Sequence, residues 1–394
     1  MGKSMLTLSG KAIETTLIES TLFSLATSHS LPLVLRKNKA LVVNKNREVS
    51  GGFAHYFVDA DYSGQLPEGA SFTRLGGEFH YLANDDIVHV SPDCSIRTLF
   101  RAQSDHNGIL LTEQCNNYCL MCSQPPKRQD DRWILDEVRK LIPLIPRSTE
   151  SLGITGGEPT LFGDDFLEII RLCKSWLPHT SLHLLSNGRT FADIEFSQKY
   201  ASIRHPDLMI GIPIYSDDPA RHDYVVQAKG AFDETISGIL NLKRLGQKVE
   251  IRVVIHKQTF ERLPELAEFI ARNLLFVDHV ALMGLEMMGF TRANLDALWI
   301  DPSEYKDQLS DAVSILRAYK IPVSVYNHQL CLVNRDIEPV YVKSISDWKN
   351  EYVHECDNCL RKTDCGGFFS SGVKYGYSQH IKPFTGHTEL PSVL

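Results

Sequence analysis

The chain lacks any long apolar run: nothing in its 394 residues approaches the ~18 to 20 consecutive apolar positions that a membrane-spanning helix needs. The stretch from Met1-Gly2-Lys3-Ser4 to Ser30 also lacks the apolar core of a signal peptide. These two absences give the expectation of a cytoplasmic protein. An excess of positive charge is missing too: 41 Lys and Arg stand against 48 Asp and Glu, a net charge of -7, so there is no broad attraction for nucleic acid, though a local basic groove stays compatible with it. What is present is a 43% hydrophobic content, enough for a full core, in a length that suggests two or three structural units. A reducing compartment keeps thiols free, so clustered cysteines there point to metal binding rather than disulfides.

Nine cysteines occur, and three of them, Cys115, Cys119 and Cys122, follow the apolar run Gly108-Ile109-Leu110-Leu111-Thr112 in a Cys-x-x-x-Cys-x-x-Cys spacing. Thiolates are soft ligands for iron-sulfur clusters and zinc. A cubane cluster normally takes four, so three imply one iron left open. The other readings are a zinc site, for which neither histidine nor cysteine lies close enough in sequence to complete a local set, or buried thiols. A few dozen residues on, Gly156-Gly157-Glu158-Pro159 follows the apolar segment Ser151-Leu152-Gly153-Ile154-Thr155. Together the two motifs resemble the radical S-adenosylmethionine (radical SAM) superfamily, departing from it at Met121, where the family usually has an aromatic residue. The resemblance implies that Cys115, Cys119 and Cys122 hold a 4Fe-4S cluster whose open iron is chelated by SAM. It also implies that Gly156, Gly157, Glu158 and Pro159 bind the SAM amino group, and that reduction yields methionine and a 5'-deoxyadenosyl radical.

From about residue 108 short apolar runs alternate with longer amphipathic segments, the signature of parallel βα units. Strands are expected near Gly108 to Thr112, Ser151 to Thr155, Ser181 to Leu185, Leu208 to Ile214, Val249 to Ile255 and Val277 to Met283. Helices are expected at about Arg132 to Leu144, Asp165 to Trp176, Phe191 to Ala201, Phe232 to Leu245, Leu263 to Asn273 and Asp301 to Tyr319. Six units match an α/β fold of the partial (β/α)6 TIM-like type, and every motif falls at a strand's carboxyl end, where such barrels collect their chemistry. The expected division is a β-rich unit over 1–105, the partial barrel over 106–319 and a cysteine-bearing unit over 320–394. The first unit, with runs such as Ala40-Leu41-Val42-Val43, is either a platform for a substrate or partner or a cover over one side of the barrel.

A second group comprises Cys356-x-x-Cys359 and Cys365, with Cys331 upstream. It is similar to the truncated auxiliary-cluster ("twitch") domain behind some radical SAM barrels, less so to the longer SPASM domain, and so implies a second, auxiliary 4Fe-4S cluster. Cys331 is either its fourth ligand or a free thiol that donates a hydrogen atom. A structural zinc site is the alternative for the whole group. Cys94 and Cys173 read as structural.

In related enzymes polar residues after strand three and on later strands hold the ribose and carboxylate of SAM, and Ser186, Asn187, Ser216 and Arg252 occupy the matching places. An arginine fork suits a carboxylate, and an ion pair with Glu250 is the plainer role for Arg252. His222-Asp223 is either an acid/base pair or a local cap. The segments Leu120 to Lys127, Gly367 to Ser370 and Ser346 to Asn350 are similar to one peptide-modifying branch, the His-Xaa-Ser system radical SAM maturases of the C type. That resemblance implies a His-Xaa-Ser repeat peptide as substrate, a second radical SAM maturase beside it, and an electron donor such as flavodoxin or ferredoxin. Peptide crosslinking, oxidation or epimerisation is the expected activity. Radical modification of a nucleoside or small metabolite, and a cluster-bearing partner subunit, are the other classes.

Overall fold

Two sheets organise the computed structural model, which describes residues 8–43, 49–343 and 351–386. The first has eight strands: β1 (Ser9–Lys11), β2 (Glu14–Thr15), β3 (Thr21–Ala26), β4 (Lys39–Val43), β5 (His55–Asp59), β6 (Phe72–Leu75), β7 (Ile87–Val90) and β8 (Ser95–Phe100). They run in the order β1-β8-β7-β3-β4-β5-β6-β2, parallel from β3 to β6 and antiparallel elsewhere. The alternating runs of the first hundred residues therefore do form strands.

The second sheet is parallel throughout and has its strands in sequence order: β9 (Gly108–Leu110), β10 (Ser151–Thr155), β11 (Ser181–Leu185), β12 (Leu208–Pro213), β13 (Lys248–Ile255), β14 (His279–Gly284) and β15 (Val323–Tyr326). The partial-barrel α/β architecture stands, with seven strands where the sequence led us to expect six. Val323–Tyr326 is too short a run to announce itself, and its pairing with β14 carries the sheet past residue 319. Among the described residues β9 pairs on one side only, while the outer side of β15 carries a single parallel bridge from Val325 to Tyr341.

Alternation sorts the side chains. Leu152, Ile154, Leu182, Leu184, Ile210, Ile251 and Val253 are buried under the helices, while Ser151, Gly153, His183 and Arg252 face the concave side. The helices Trp133–Leu141, Asp164–Trp176, Ala231–Arg244, Leu263–Asn273 and Lys306–Ala318 supply the other half of that core. The expected helix over 191–201 is broken by Asp193, which caps a fresh helix, Ile194–Ile203, through Glu195 N–H and Phe196 N–H. Helix Pro219–Val226, capped by Asp218, was not foreseen. Ile87 and Phe100 of the first sheet join the barrel core, so that sheet packs against the barrel near β9. Among the described residues no helix is long and apolar enough to cross a membrane.

Candidate functional site

The loop after β9 carries the first three cysteines, and its backbone is tied on several sides. Asp131, 4% exposed, accepts from Thr112 Oγ1, from Glu113 N–H at 2.5 Å and from Gln114 Nε2 at 2.9 Å, and so fixes the loop's entry. Tyr118 N–H and Leu120 N–H donate to Val226 and Val225 carbonyls, and Phe290 N–H donates to the Cys122 carbonyl at 2.8 Å. Gly289 is required there, at φ +53, because a Cβ would lie 2.3 Å from that carbonyl oxygen. Met121 is buried in a small apolar cluster with Tyr215, Val225, Val226 and Leu298.

The Gly-Gly pair has an equally physical cause. Gly157 N–H donates to Thr112 and Glu158 N–H to Gln114, at 2.9 and 2.8 Å, so the cysteine loop crosses directly over the end of β10. A Cβ on Gly156 would meet Thr112 O at 2.7 Å, and one on Gly157 would meet Gln114 O at 2.2 Å.

Glu158 is fully buried and knits the next strand end to this one. Its carboxylate accepts from Thr160 Oγ1 at 2.6 Å, Ser186 Oγ at 2.9 Å and Asn187 N–H at 2.6 Å. Burial pushes its pKa up, against these donors, which favour the charged form. Asn187 Nδ2 donates to Asn116 Oδ1 at 2.6 Å, returning to the cysteine loop. Ser216 is buried in the turn before helix Pro219–Val226, accepting from Asp218 N–H at 3.1 Å. Arg252 forms the plainer of its two expected contacts, an ion pair with Glu250 at 2.7 Å. The structure thus brings Glu158, Ser186 and Asn187 together beside the cysteine loop, and sets Arg252 lower, on the concave face.

Two residues that the sequence did not single out hold this arrangement. Asp131 is one. Arg189 is the other: it donates to Asn116 O at 2.8 Å and Asn117 Oδ1 at 2.6 Å while pairing with Glu234 at 2.6 Å. The signal available was weak, an arginine directly after Ser186-Asn187-Gly188. Arg189→Leu should loosen the loop by about 1.5–3 kcal/mol, the range for hydrogen bonds to charged groups. Amide exchange over residues 116–122 would then quicken roughly ten- to hundredfold; unchanged exchange there would count against the clamp.

His222 and Asp223 play the local role. Asp223 accepts from Gly230 N–H and Phe232 N–H and caps helix Ala231–Arg244, and His222, its pKa lowered to about 4 by burial, accepts from Tyr215 N–H.

The three thiols interact. Burial, with the Glu158 and Cys122 charges adding, pushes Cys115 up to about 11; burial raises Cys119 further, with both other thiols contributing, and raises Cys122. Burial that disfavours bare thiolates is offset where a cation binds them, so three soft donors on one loop fit an iron cluster. Among the described residues no three His, Cys, Asp or Glu side chains converge on a point where one ion would sit.

The second group gathers as well. Cys331, Cys356, Cys359 and Cys365 line one small apolar cavity, closed by Phe368 and Phe384. Backbone N–H groups of Leu330 and Gly367 point at Cys365 Sγ, and that of Phe384 at Cys359 Sγ, each at 3.4 Å. Cys331 therefore lies with the other three, pushed up to about 11 by burial. Cys173 is buried in helix Asp164–Trp176, as expected of a structural thiol. The Ser346 to Asn350 segment lies outside the described residues.

Residues 109–270 match the family described as the Radical SAM superfamily. The chain is 30% identical over 174 residues to GTP 3',8-cyclase of Mannheimia succiniciproducens, covering 41% of this chain and 50% of that protein. It is 31% identical over 185 residues to GTP 3',8-cyclase of Haemophilus ducreyi, 45% of this chain and 52% of that one. The chain thus spans about half the length of these curated relatives. Among solved structures, Streptococcus suis SuiB bound to S-adenosylmethionine is similar with a TM-score of 0.46 at 16% identity, covering 56% of this chain and 50% of that one. Native anSMEcpe with bound AdoMet and Cp18Cys peptide is similar at 0.43 and 14% identity, covering 55% and 62%.

Proposed function

We propose that this chain, a radical SAM enzyme by its domain over residues 109–270, modifies a peptide, with a His-Xaa-Ser repeat as the first substrate to try. The family implies SAM and a 4Fe-4S cluster, which together supply a 5'-deoxyadenosyl radical by reductive cleavage of SAM. Cys115, Cys119 and Cys122 would hold that cluster. The half-buried backbone of Gly156 and Gly157, with Ser186 and Asn187 held beside it through Glu158, and Ser216 at the end of the next strand but one, would receive the amino, carboxylate and ribose groups of SAM. Glu158 keeps the strand ends in place for this. Cys331, Cys356, Cys359 and Cys365 would hold an auxiliary 4Fe-4S cluster. Cys331→Ala should then lower bound iron by about half, leaving what the 115–122 loop holds. Iron content equal to wild type would leave Cys331 as the free thiol.

The observation that carries the peptide reading is the cleft between the carboxyl ends of β14 and β15 and the chain around Gly366 to Ser378. Its walls are aromatic rings and backbone, including Trp299, Phe368, Phe369 and Tyr377, with Lys343 as the sole Lys or Arg among the described lining residues. A triphosphate needs several cations, whereas an extended peptide needs apolar contacts and backbone partners. The nucleotide reading retains one support, the GTP 3',8-cyclases among the curated relatives. The reduced enzyme should be given SAM with either the repeat peptide or GTP, with and without the second maturase and with flavodoxin or ferredoxin as donor. A peptide lighter by two hydrogens with stoichiometric 5'-deoxyadenosine is expected. Consumption of GTP with an unchanged peptide would overturn the reading.

A further inference from the structure

The concave side of the parallel sheet encloses a cavity of about 790 Å³ that runs from Gln124, two residues beyond Cys122, down past β11, β13 and β15. Parallel barrels usually fill this space with branched apolar side chains. Here much of the wall is apolar, including Leu152, Ile154, Leu185 and Met209, but His183, Glu250 and Arg252 form a charged patch within it. Glu250 on β13 sits 2.8 Å from His279 on β14, 2.7 Å from Arg252 and 3.3 Å from His183 on β11. His279 is hydrogen-bonded in turn to Ser324 of β15 at 2.9 Å. Gly211 on β12 makes the crossing possible, since a Cβ there would lie 2.8 Å from Arg252 Cδ and 3.2 Å from His183 Nε2. Glu250 is 6% exposed, and its hydrogen bond to His279, the close approach of His183 and the charge of Arg252 outweigh desolvation and hold its carboxyl well below the usual range. His183 differs from its partners: its side chain is 37% exposed to the cavity, yet Nε2 is enclosed against Glu250 without a well-formed hydrogen bond. Nε2 faces a carboxylate, so the neutral ring with its proton on Nε2 leaves Nδ1 as the nitrogen with a free lone pair.

From this arrangement we propose that His183, backed by Glu250 and positioned with His279 and Arg252, is the proton acceptor of an oxidative, two-hydrogen modification of the substrate. The proposal rests on the peptide reading above and deepens it, because it selects bond-forming oxidation over epimerisation. His183 lies three residues before Ser186, about 10 Å along the strand at ~3.3 Å per residue, in a cavity distinct from the cleft around Gly366 to Ser378, so the proposal requires the reacting side chain to enter the barrel interior while the rest of the peptide stays in the cleft. The step balances as follows. One hydrogen leaves the substrate carbon as an atom, to the deoxyadenosyl group derived from SAM. As an N–H, O–H or S–H of the same peptide attacks that carbon, its proton passes to His183 Nδ1, and the remaining electron passes to an iron-sulfur acceptor, the class of group proposed for the four-thiol cavity. Glu250 is suited to holding the resulting imidazolium through Nε2–H.

His183→Ala in the loaded enzyme, with the repeat peptide, should leave 5'-deoxyadenosine formation within about twofold of wild type while modified peptide per deoxyadenosine falls at least tenfold. Free imidazole, small enough for the enlarged cavity, should restore part of the product. In the chain without cofactors, ¹⁵N imidazole spectra should show His183 protonated at Nε2, and Glu250→Gln should change that signal. Wild-type product per deoxyadenosine in His183→Ala would overturn the proposal. So would equal loss of both yields without imidazole rescue, or a bare Nε2 on His183. If wild-type enzyme leaves the peptide untouched, the peptide reading fails and this proposal falls with it; if only the variant result is wrong, the peptide reading stands.

Discussion

Alanine at Cys119 should abolish SAM cleavage and strip the barrel of its iron while leaving the fold in place. Cys119 is the most strongly desolvated of the three loop thiols, and it packs beside the cluster of Met121, Tyr215 and Val225. A half-buried thiol packed against apolar neighbours behaves as a small hydrophobe, so its loss changes packing little. Removing it takes one of three thiolates from a group already short of the four a cubane normally uses. The loss of dithionite-driven deoxyadenosine formation should exceed about 100-fold, the upper range for disturbing merely the partners of a metal ligand. Cys173→Ala is the control, because Cys173 is buried in helix Asp164–Trp176 among core residues such as Ile169 and Ile170. That change should lower the melting temperature and leave iron per chain unaltered. Cleavage by Cys119→Ala at the wild-type rate would remove the radical mechanism from this loop altogether.

Gly157→Ala should be nearly as damaging, by a different route. The added methyl would lie 2.2 Å from the Gln114 carbonyl oxygen and 3.0 Å from Cys115 Cβ, and backbone cannot swing aside as a flexible side chain can. To make room, the loop must lift from β10, breaking the Glu158 N–H to Gln114 and Gly157 N–H to Thr112 bonds. We expect a destabilisation of about 1–3 kcal/mol, as for other forced insertions into packed positions. Cysteine spacing should change with it, so iron should be bound weakly and lost on gel filtration. Alanine at Gly230, where a Cβ would meet nothing within 4 Å but φ is +78, separates the effects: it strains the backbone without touching the loop. Similar iron retention in both variants would mean that the contact at Gly157 is dispensable.

The parallel sheet was legible because apolar period and strand length agree with each other. Ser151–Thr155 and Ser181–Leu185 end where the pattern ends, each before a loop of polar or glycine residues. The thiol triple was legible through its spacing, which is local by nature. β15 was not, because four residues after Ile321-Pro322 carry too little pattern to be told from a loop. The helix over Pro219–Val226 was missed for a similar reason, its caps Asp218 and Pro219 being visible but its length short.

The site shows the same limit. Glu158, Ser186 and Asn187 were picked out as SAM contacts, and their side chains turn out to hold one another and the cysteine loop. Arg252 faces Glu250 because alternate residues of one strand point the same way, a relation the sequence offered as an alternative. Asp131 and Arg189 act on backbone groups far from their own strands, and nothing in their local sequence names those partners.

The sequence by itself determined the chemistry available to this protein: soft thiolates in two groups, a glycine pair before an acid, and βα alternation that sends every motif to one end of a sheet. These depend on residue type and short-range spacing, which chain order preserves. Tertiary structure decided which groups meet. It brought Cys331 to Cys356, Cys359 and Cys365, laid the cysteine loop over Gly157, and joined His183, Glu250 and His279 from β11, β13 and β14 across Gly211 of β12 inside the barrel. Such contacts join residues far apart in the chain, and their register is set by the packing of the whole sheet rather than by any one segment.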